Sequence, residues 1–199
     1  MKRNDYRALL VGPAAAWGEK REFQIKFLKS RGLSPDNNLL DLGCGVLRGG
    51  IPLIEYLDKG KYYGIEKDSH RLSEGQEELK ENNLTLKAPH LSTDYEQVDR
   101  IKFDYIWSYQ VFIHLTDEIL DEVLKKISYL LKDKGTCYAT VNLDAPWGKQ
   151  VWMEYPHIFR DLKFYEEAAA KYGLAIEPIN DFSHPALNNQ MLKIYKRPI

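Results

Sequence analysis

A carboxylate ahead of two glycines marks where this chain can do chemistry: Leu39-Leu40-Asp41-Leu42-Gly43-Cys44-Gly45. Leu39, Leu40 and Leu42 make the short apolar run of a strand buried on both faces. Gly43 and Gly45 then remove side chains where the backbone must turn sharply and let a ligand come close. The spacing is Asp-x-Gly-x-Gly and not Gly-x-Gly-x-x-Gly, which argues against a nicotinamide dinucleotide. Glu66 follows Gly45 by 21 residues, after a second apolar strand, Tyr62-Tyr63-Gly64-Ile65. An acid at that separation, at a strand end, is placed to accept hydrogen bonds from ribose hydroxyls.

A second group lies further along. Ser108-Tyr109-Gln110 follows the strand Phe103-Asp104-Tyr105-Ile106-Trp107, and ligands of open parallel sheets sit outside the carboxyl ends of the strands. Gln110 is therefore a candidate substrate contact. His114 is a candidate general base, since imidazole titrates near neutral pH. Capping or packing against the next helix is its competing role. Trp147, in an aromatic-rich connection that also holds His157, and His184, between the last two strands, are further candidate substrate contacts. Each has a structural reading beside the functional one. Cys44 stands near a helix N-terminus, where a thiolate is stabilised. It occupies the ligand's own place and has no histidine partner by spacing, so a cysteine nucleophile is disfavoured. The five histidines fall at no metal-ligand spacing, and no metal is expected.

The elements that must hold these residues alternate. A short apolar run, Leu9-Leu10-Val11, ends at the turn Gly12-Pro13. Ala14 to Leu28 reads as a helix, and Trp17 as a packing residue. The first strand is 39–42. Its helix starts between Leu47 and Gly50, with Pro52 in the first turn, where a missing N–H costs nothing. A helix over 69–81 is capped by Asp68 or Ser69. The third strand falls within Thr85–Leu91. Thr116 caps a helix from Asp117 to Leu131 whose core stripe includes Ile119, Leu120, Val123, Leu124 and Ile127, stopped by Lys134-Gly135. A fifth strand, 136–141, a helix over 164–172 and an antiparallel pair, 174–179 and 190–195, complete the chain. Strand–helix alternation with short connections predicts a three-layer, doubly wound α/β fold. Its sheet is mainly parallel and seven-stranded, with the antiparallel pair at the C-terminus. Residues 1–36 read as an N-terminal helical extension and 37–199 as the main domain.

Composition narrows the field. The chain has 199 residues, 28 basic against 29 acidic, and a net charge of −1. One α/β domain with a sizeable core is the natural size class. Near-neutrality gives no electrostatic footprint for nucleic acid or an acidic membrane. Two cysteines, Cys44 and Cys137, are distant in sequence, which predicts free thiols in a reducing compartment. No apolar stretch approaches a membrane span or a signal core, so a cytoplasmic protein is expected. The composition leaves the oligomeric state open.

"LLDLGCG", the acid after "YYGI", "FDYIWSYQVFIHL" and "LLKDKGTCYATV" together resemble the successive landmarks of the class I, seven-stranded methyltransferases that use S-adenosylmethionine. The resemblance covers roughly residues 36–197. It implies a domain that binds S-adenosylmethionine and transfers its methyl group. By that resemblance the backbone of Gly43, Cys44 and Gly45 faces the cofactor's amino-acid portion. Asp41 supports its ammonium, Glu66 with its neighbour Lys67 lies at the ribose, and Asp94 at the adenine. Ser108 and Tyr109 lie near the methyl group. Arg48 has two readings, a contact to the methionine carboxylate or a surface salt bridge. No Asn/Asp-Pro-Pro-Tyr follows the fourth strand, which weakens methylation of nucleic-acid bases or glutamine and leaves a small-molecule acceptor. The same residues fit a cofactor-binding module that acts as a partner or regulator without turnover.

Overall fold

Strand β1 (Leu39–Leu42) is buried at every position, as an apolar run with one acid inside it requires. It pairs in parallel with β2 (Tyr62–Ile65), placing Asp41 opposite Gly64, and β2 pairs in parallel with β3 (His90–Ser92). The computed structural model describes residues 3–12, 16–143, 157–182 and 189–198. The chain divides into two compact units, Met1–Asp99 and Arg100–Ile199.

The first unit holds β1 to β3 with helices α1 (Arg3–Val11), α2 (Trp17–Ser30), α3 (Gly50–Tyr56) and α4 (Ser69–Glu81). Pro52 sits in the first turn of α3, and Ile51, Leu53 and Ile54 are buried. Asp68 caps α4, accepting from the backbone N–H groups of His70 and Arg71. That α1 is a helix has no apolar signature in the sequence. Its inner face is charged instead: Arg7 is fully buried and pairs with Glu78, with Glu81 at 2.7 Å and with Glu74 at 3.4 Å, all on α4. Arg21 of α2 reaches the same Glu78. The third strand lies later than its expected span. Thr85–Lys87 forms a 3₁₀ turn, Ala88 closes it at φ 49°, and Pro89 cannot donate to a ladder, so pairing begins at His90.

The second unit orders its main strands β4-β5-β8-β7. These are β4 (Phe103–Ser108), β5 (Leu131–Leu143), β7 (Leu174–Pro178) and β8 (Gln190–Lys196). β4 and β5 are parallel, and β8 runs antiparallel to both β5 and β7. Helix α5 (Asp117–Leu130) precedes β5, and α6 (Leu162–Ala170) precedes β7. A two-residue strand, β6 (Phe159–Arg160), adds to the end of β5. The α/β class and the mainly parallel seven-stranded sheet with antiparallel C-terminal strands are as expected from sequence.

Three details differ. Helix α5 gives way to β5 at Leu131 with no intervening turn, and Lys134-Gly135 lies within the strand. A β-carbon on Gly135 would come within 2.7 Å of the Phe103 carbonyl, so glycine there serves close strand approach and not helix termination. Ile119, expected in the α5 stripe, is 47% exposed, while Leu120, Leu124, Ile127 and Leu130 are buried. Helix α6 starts two residues earlier than expected because Asp161 caps it, accepting from Phe164 N–H.

Candidate functional site

In the first unit the glycine turn is built as its sequence implies. Gly43 and Gly45 have φ of 76° and 56°, the left-handed region that disfavours side chains. The N–H groups of Gly43 and Cys44 both donate to the Ile65 carbonyl, at 2.7 and 3.1 Å. Gly45 N–H donates to Glu66 Oε2 at 3.1 Å. The three donors are thus taken by β2 and its terminal acid, and a ligand here meets carbonyl oxygen and bare backbone. Glu66 Oε1 accepts from Asp68 N–H at 2.9 Å. A carboxylate accommodates about four donors, so capacity remains for two hydroxyls.

Asp41 is buried in β1 and accepts a 2.6 Å hydrogen bond from the Tyr62 hydroxyl. Burial pushes its carboxyl up to about 7, against the Tyr62 hydrogen bond and with help from the nearby charge of Glu66. A cation placed beside these two carboxylates would lower it again. Cys44 is a buried free thiol, pushed well above the ordinary range by burial and by Asp41 and Glu66. Both burial and the neighbouring carboxylates disfavour the thiolate that a nucleophile requires.

Arg48 is 7% exposed, so the surface salt-bridge reading falls. Its Nη1 donates to the Val11 carbonyl at 3.3 Å, and its own carbonyl accepts from Arg21 Nε at 3.1 Å. Lys20, on α2 and 3% exposed, was not anticipated from sequence. Burial, and then the charge of Arg48, pull its amine down to about 8. No carboxylate pairs with Lys20 among the described residues. Trp17 Nε1, one turn away on α2, is buried without a hydrogen-bond partner among them. The Lys20 amine and the orphan Trp17 N–H beside Arg48 suit an anion. Lys67 is exposed, with its amine 5.7 Å from the Tyr95 ring centre. Asp94 is half-buried and accepts from Glu96 N–H at 2.9 Å.

In the second unit, Ser108 ends β4 fully buried, and Tyr109 stacks on Trp107 with ring centres 5.5 Å apart. Gln110 follows at φ 64°, a strained value for a residue with a side chain. Its N–H donates to Thr140 Oγ1 at 2.6 Å and its Nε2 to Asn189 Oδ1 at 2.8 Å. His114 closes a 3₁₀ turn (Phe112–His114), and its ring lies 5.0 Å from that of His157. Thr116, not His114, caps α5. Burial holds the His157 imidazole below its ordinary range. Trp147 and His184 lie outside the described residues. Tyr62, Lys20, Thr140, Asn142 and Asn189 went unread in the sequence. Their types are common and their partners distant, so no local pattern marks them.

The profile of the family described as "Methyltransferase domain" matches residues 40–137. A curated but uncharacterized protein of Rickettsia prowazekii (strain Madrid E) is 26% identical over 118 residues, 56% of this chain and 45% of that protein. The chain thus spans less than half of that relative's length. Among solved structures, magnesium protoporphyrin IX methyltransferase from Synechocystis PCC 6803, with bound SAM, matches with a TM-score of 0.68 at 16% identity. The match covers 92% of this chain and 81% of that one. An S-adenosylmethionine-dependent methyltransferase from Clostridium acetobutylicum ATCC 824 matches with a TM-score of 0.68 at 15% identity, over 90% and 92% of the two chains. At these identities the likeness establishes the fold.

Proposed function

We propose that the chain, whose residues 40–137 match the methyltransferase-domain profile, is a class I S-adenosylmethionine-dependent methyltransferase that binds S-adenosylmethionine and transfers the methyl group to a small-molecule acceptor. The observation that carries this is the Glu66 carboxylate bonded to Gly45 N–H at the lip of the glycine turn, with the buried Asp41 carboxylate close enough to feel its charge.

The residues fit the cofactor's parts. Glu66 keeps lone pairs for ribose hydroxyls. Asp41 and the turn's carbonyl oxygens suit an ammonium. Lys20, Arg48 and Trp17 Nε1 suit the methionine carboxylate. Asp94, with Lys67 beside Tyr95, lies where adenine would be held. The cofactor, when bound, supplies a methyl carbon on a positively charged sulfur that leaves as the neutral thioether. What this chain contributes is placement, since an in-line displacement gains most from holding the two reactants close and aligned.

The N-terminal helices act as a cap on that site. Val11 Cγ1 lies 3.0 Å from where a Gly45 β-carbon would stand, and the Val11 carbonyl holds Arg48. Ser108, Tyr109 and Gln110 face the acceptor. His114, whose place beside His157 leaves α5 capped by another residue, takes the acceptor's proton when the acceptor must lose one. Trp147 and His184 are proposed as further acceptor contacts. The reading is of a cytoplasmic enzyme.

Turnover of S-adenosylmethionine to S-adenosylhomocysteine across a panel of small acceptors tests this. The expected result is product with at least one acceptor, lost in His114→Gln while S-adenosylhomocysteine still binds. Tight cofactor binding with no turnover on any acceptor would instead favour a binding module.

A further inference from the structure

A chain of side-chain amides runs inward from Gln110. Gln110 Nε2 donates to Asn189 Oδ1 at 2.8 Å, Asn189 Nδ2 to Asn142 Oδ1 at 2.5 Å, and Asn142 Nδ2 to the Ile158 carbonyl at 3.3 Å. Thr140 and Asn142 are fully buried and Asn189 is 7% exposed, so these groups cannot exchange partners with water cheaply. Amide orientation is ordinarily ambiguous between oxygen and nitrogen. Here the far end removes the ambiguity, because a backbone carbonyl can only accept. Ile158 is itself fixed, its N–H donating to the Ile113 carbonyl at 2.8 Å.

Read outward from that carbonyl, each amide has one permitted orientation. Asn142 must turn its NH₂ to Ile158 and its oxygen to Asn189. Asn189 must then turn its NH₂ to Asn142 and its oxygen to Gln110. Gln110 must turn its NH₂ inward, which leaves Oε1 outward. A flip of any member would set oxygen against oxygen or N–H against N–H. The backbone of Gln110 is held as firmly, at φ 64° with its N–H on Thr140 Oγ1. No donor among the described residues meets Gln110 Oε1, and the residue is half-exposed. Strain and an oriented polar chain converge on one outward carbonyl oxygen.

We infer that Gln110 Oε1 is a fixed hydrogen-bond acceptor that selects a methyl acceptor bearing an O–H or N–H group and disfavours a carboxylate. The inference rests on the methyltransferase reading above. Asn189, Asn142 and Thr140 act through Gln110 as positioning residues. A carboxylate offers only lone pairs to that oxygen, whereas a hydroxyl or amine offers a proton.

The test uses the full chain, ¹⁵N-labelled and saturated with S-adenosylhomocysteine, titrated with phenol, catechol, aniline, benzoate and phenylacetate. The Gln110 side-chain NH₂ resonances report binding. The three donor-bearing probes should move them and bind at least about fivefold tighter than the two carboxylates. Asn189→Ala frees the Gln110 amide to turn, so the preference should fall to about unity with S-adenosylhomocysteine affinity unchanged. Gln110→Gly removes the amide, relieves the strained backbone and keeps its N–H for Thr140, so it covers the case in which Asn189→Ala does not fold. In that variant the preference, read on neighbouring backbone amides, should also vanish. Equal or tighter binding of benzoate to the parent protein would overturn the inference, as would resonances that no probe moves. Failure of a folded protein to bind S-adenosylhomocysteine would instead remove the reading beneath it.

Discussion

The two units hold functional groups by opposite means. In the first, the site is nearly contiguous: Asp41, Gly43 and Gly45 share one turn, and Glu66 closes it from the adjacent strand through the Gly45 N–H. In the second, the outward face of Gln110 is set by residues up to 79 positions away, through Asn189, Asn142 and a backbone carbonyl. A short motif with special backbone angles announces itself in sequence. A relay of ordinary amides does not. On the proposed reading, the part of the site that handles the cofactor is local and legible, while the part that chooses an acceptor is assembled at long range.

The comparison is broken most forcefully within the first unit itself, at α1. Arg7 and Glu78 are buried partners, and removing Arg7 leaves the buried Glu78 with Arg21 as its remaining ion-pair partner among the described residues. Arg7→Ala should destabilise the protein by about 3–5 kcal/mol in thermal or denaturant unfolding, the scale for breaking a buried ion pair. A loss near zero would mean that α1 is not held by this pair.

His114→Gln sharpens the division. It should cut turnover on the order of a hundredfold and leave S-adenosylhomocysteine binding untouched, as calorimetry would read. Equal loss of thermal stability and activity would return His114 to a packing role against His157.

Glu66→Ala makes the mirror-image case. Cofactor affinity should fall by about 1–3 kcal/mol, the range for hydrogen bonds to a charged group. Unchanged affinity would remove Glu66 from the ribose.

Asp41 gives the most diagnostic effect, because it is read as a slope against pH. Burial raises its carboxyl from 3.8 to about 7, so the folded state holds a proton that the unfolded state gives up earlier. Stability tied to that proton is complete below pH 3.8 and is lost as pH rises through about 7. An ammonium-bearing ligand prefers the ionised form, so S-adenosylhomocysteine affinity should climb as pH approaches 7 from below. In Asp41→Asn both slopes should flatten. Persistence of the affinity slope in that variant would assign it to another group.

Legibility followed physical range. β1, β2, α4 and the cap Thr116 could be read because apolar runs, glycine angles and capping residues act within a few positions. The α1 helix was missed because its buried face is arginine, and a search for apolar periodicity cannot see packing by ion pairs. The third strand was placed too early because the turn closed by Ala88 at φ 49° uses a residue with no turn signature. Arg48 could not be decided from sequence, since its burial depends on Val11 and Trp17 of the N-terminal helices. Lys20 looked like any surface lysine until α2 placed it beside Arg48.

The most direct measurement is calorimetric titration of the purified protein with S-adenosylhomocysteine, alongside Glu66→Ala. Binding with a dissociation constant on the order of micromolar, weakened in the variant, is the predicted result. A folded protein that gives no binding heat and shows no thermal shift with saturating ligand would contradict the assignment of the Asp41–Glu66 turn to this cofactor.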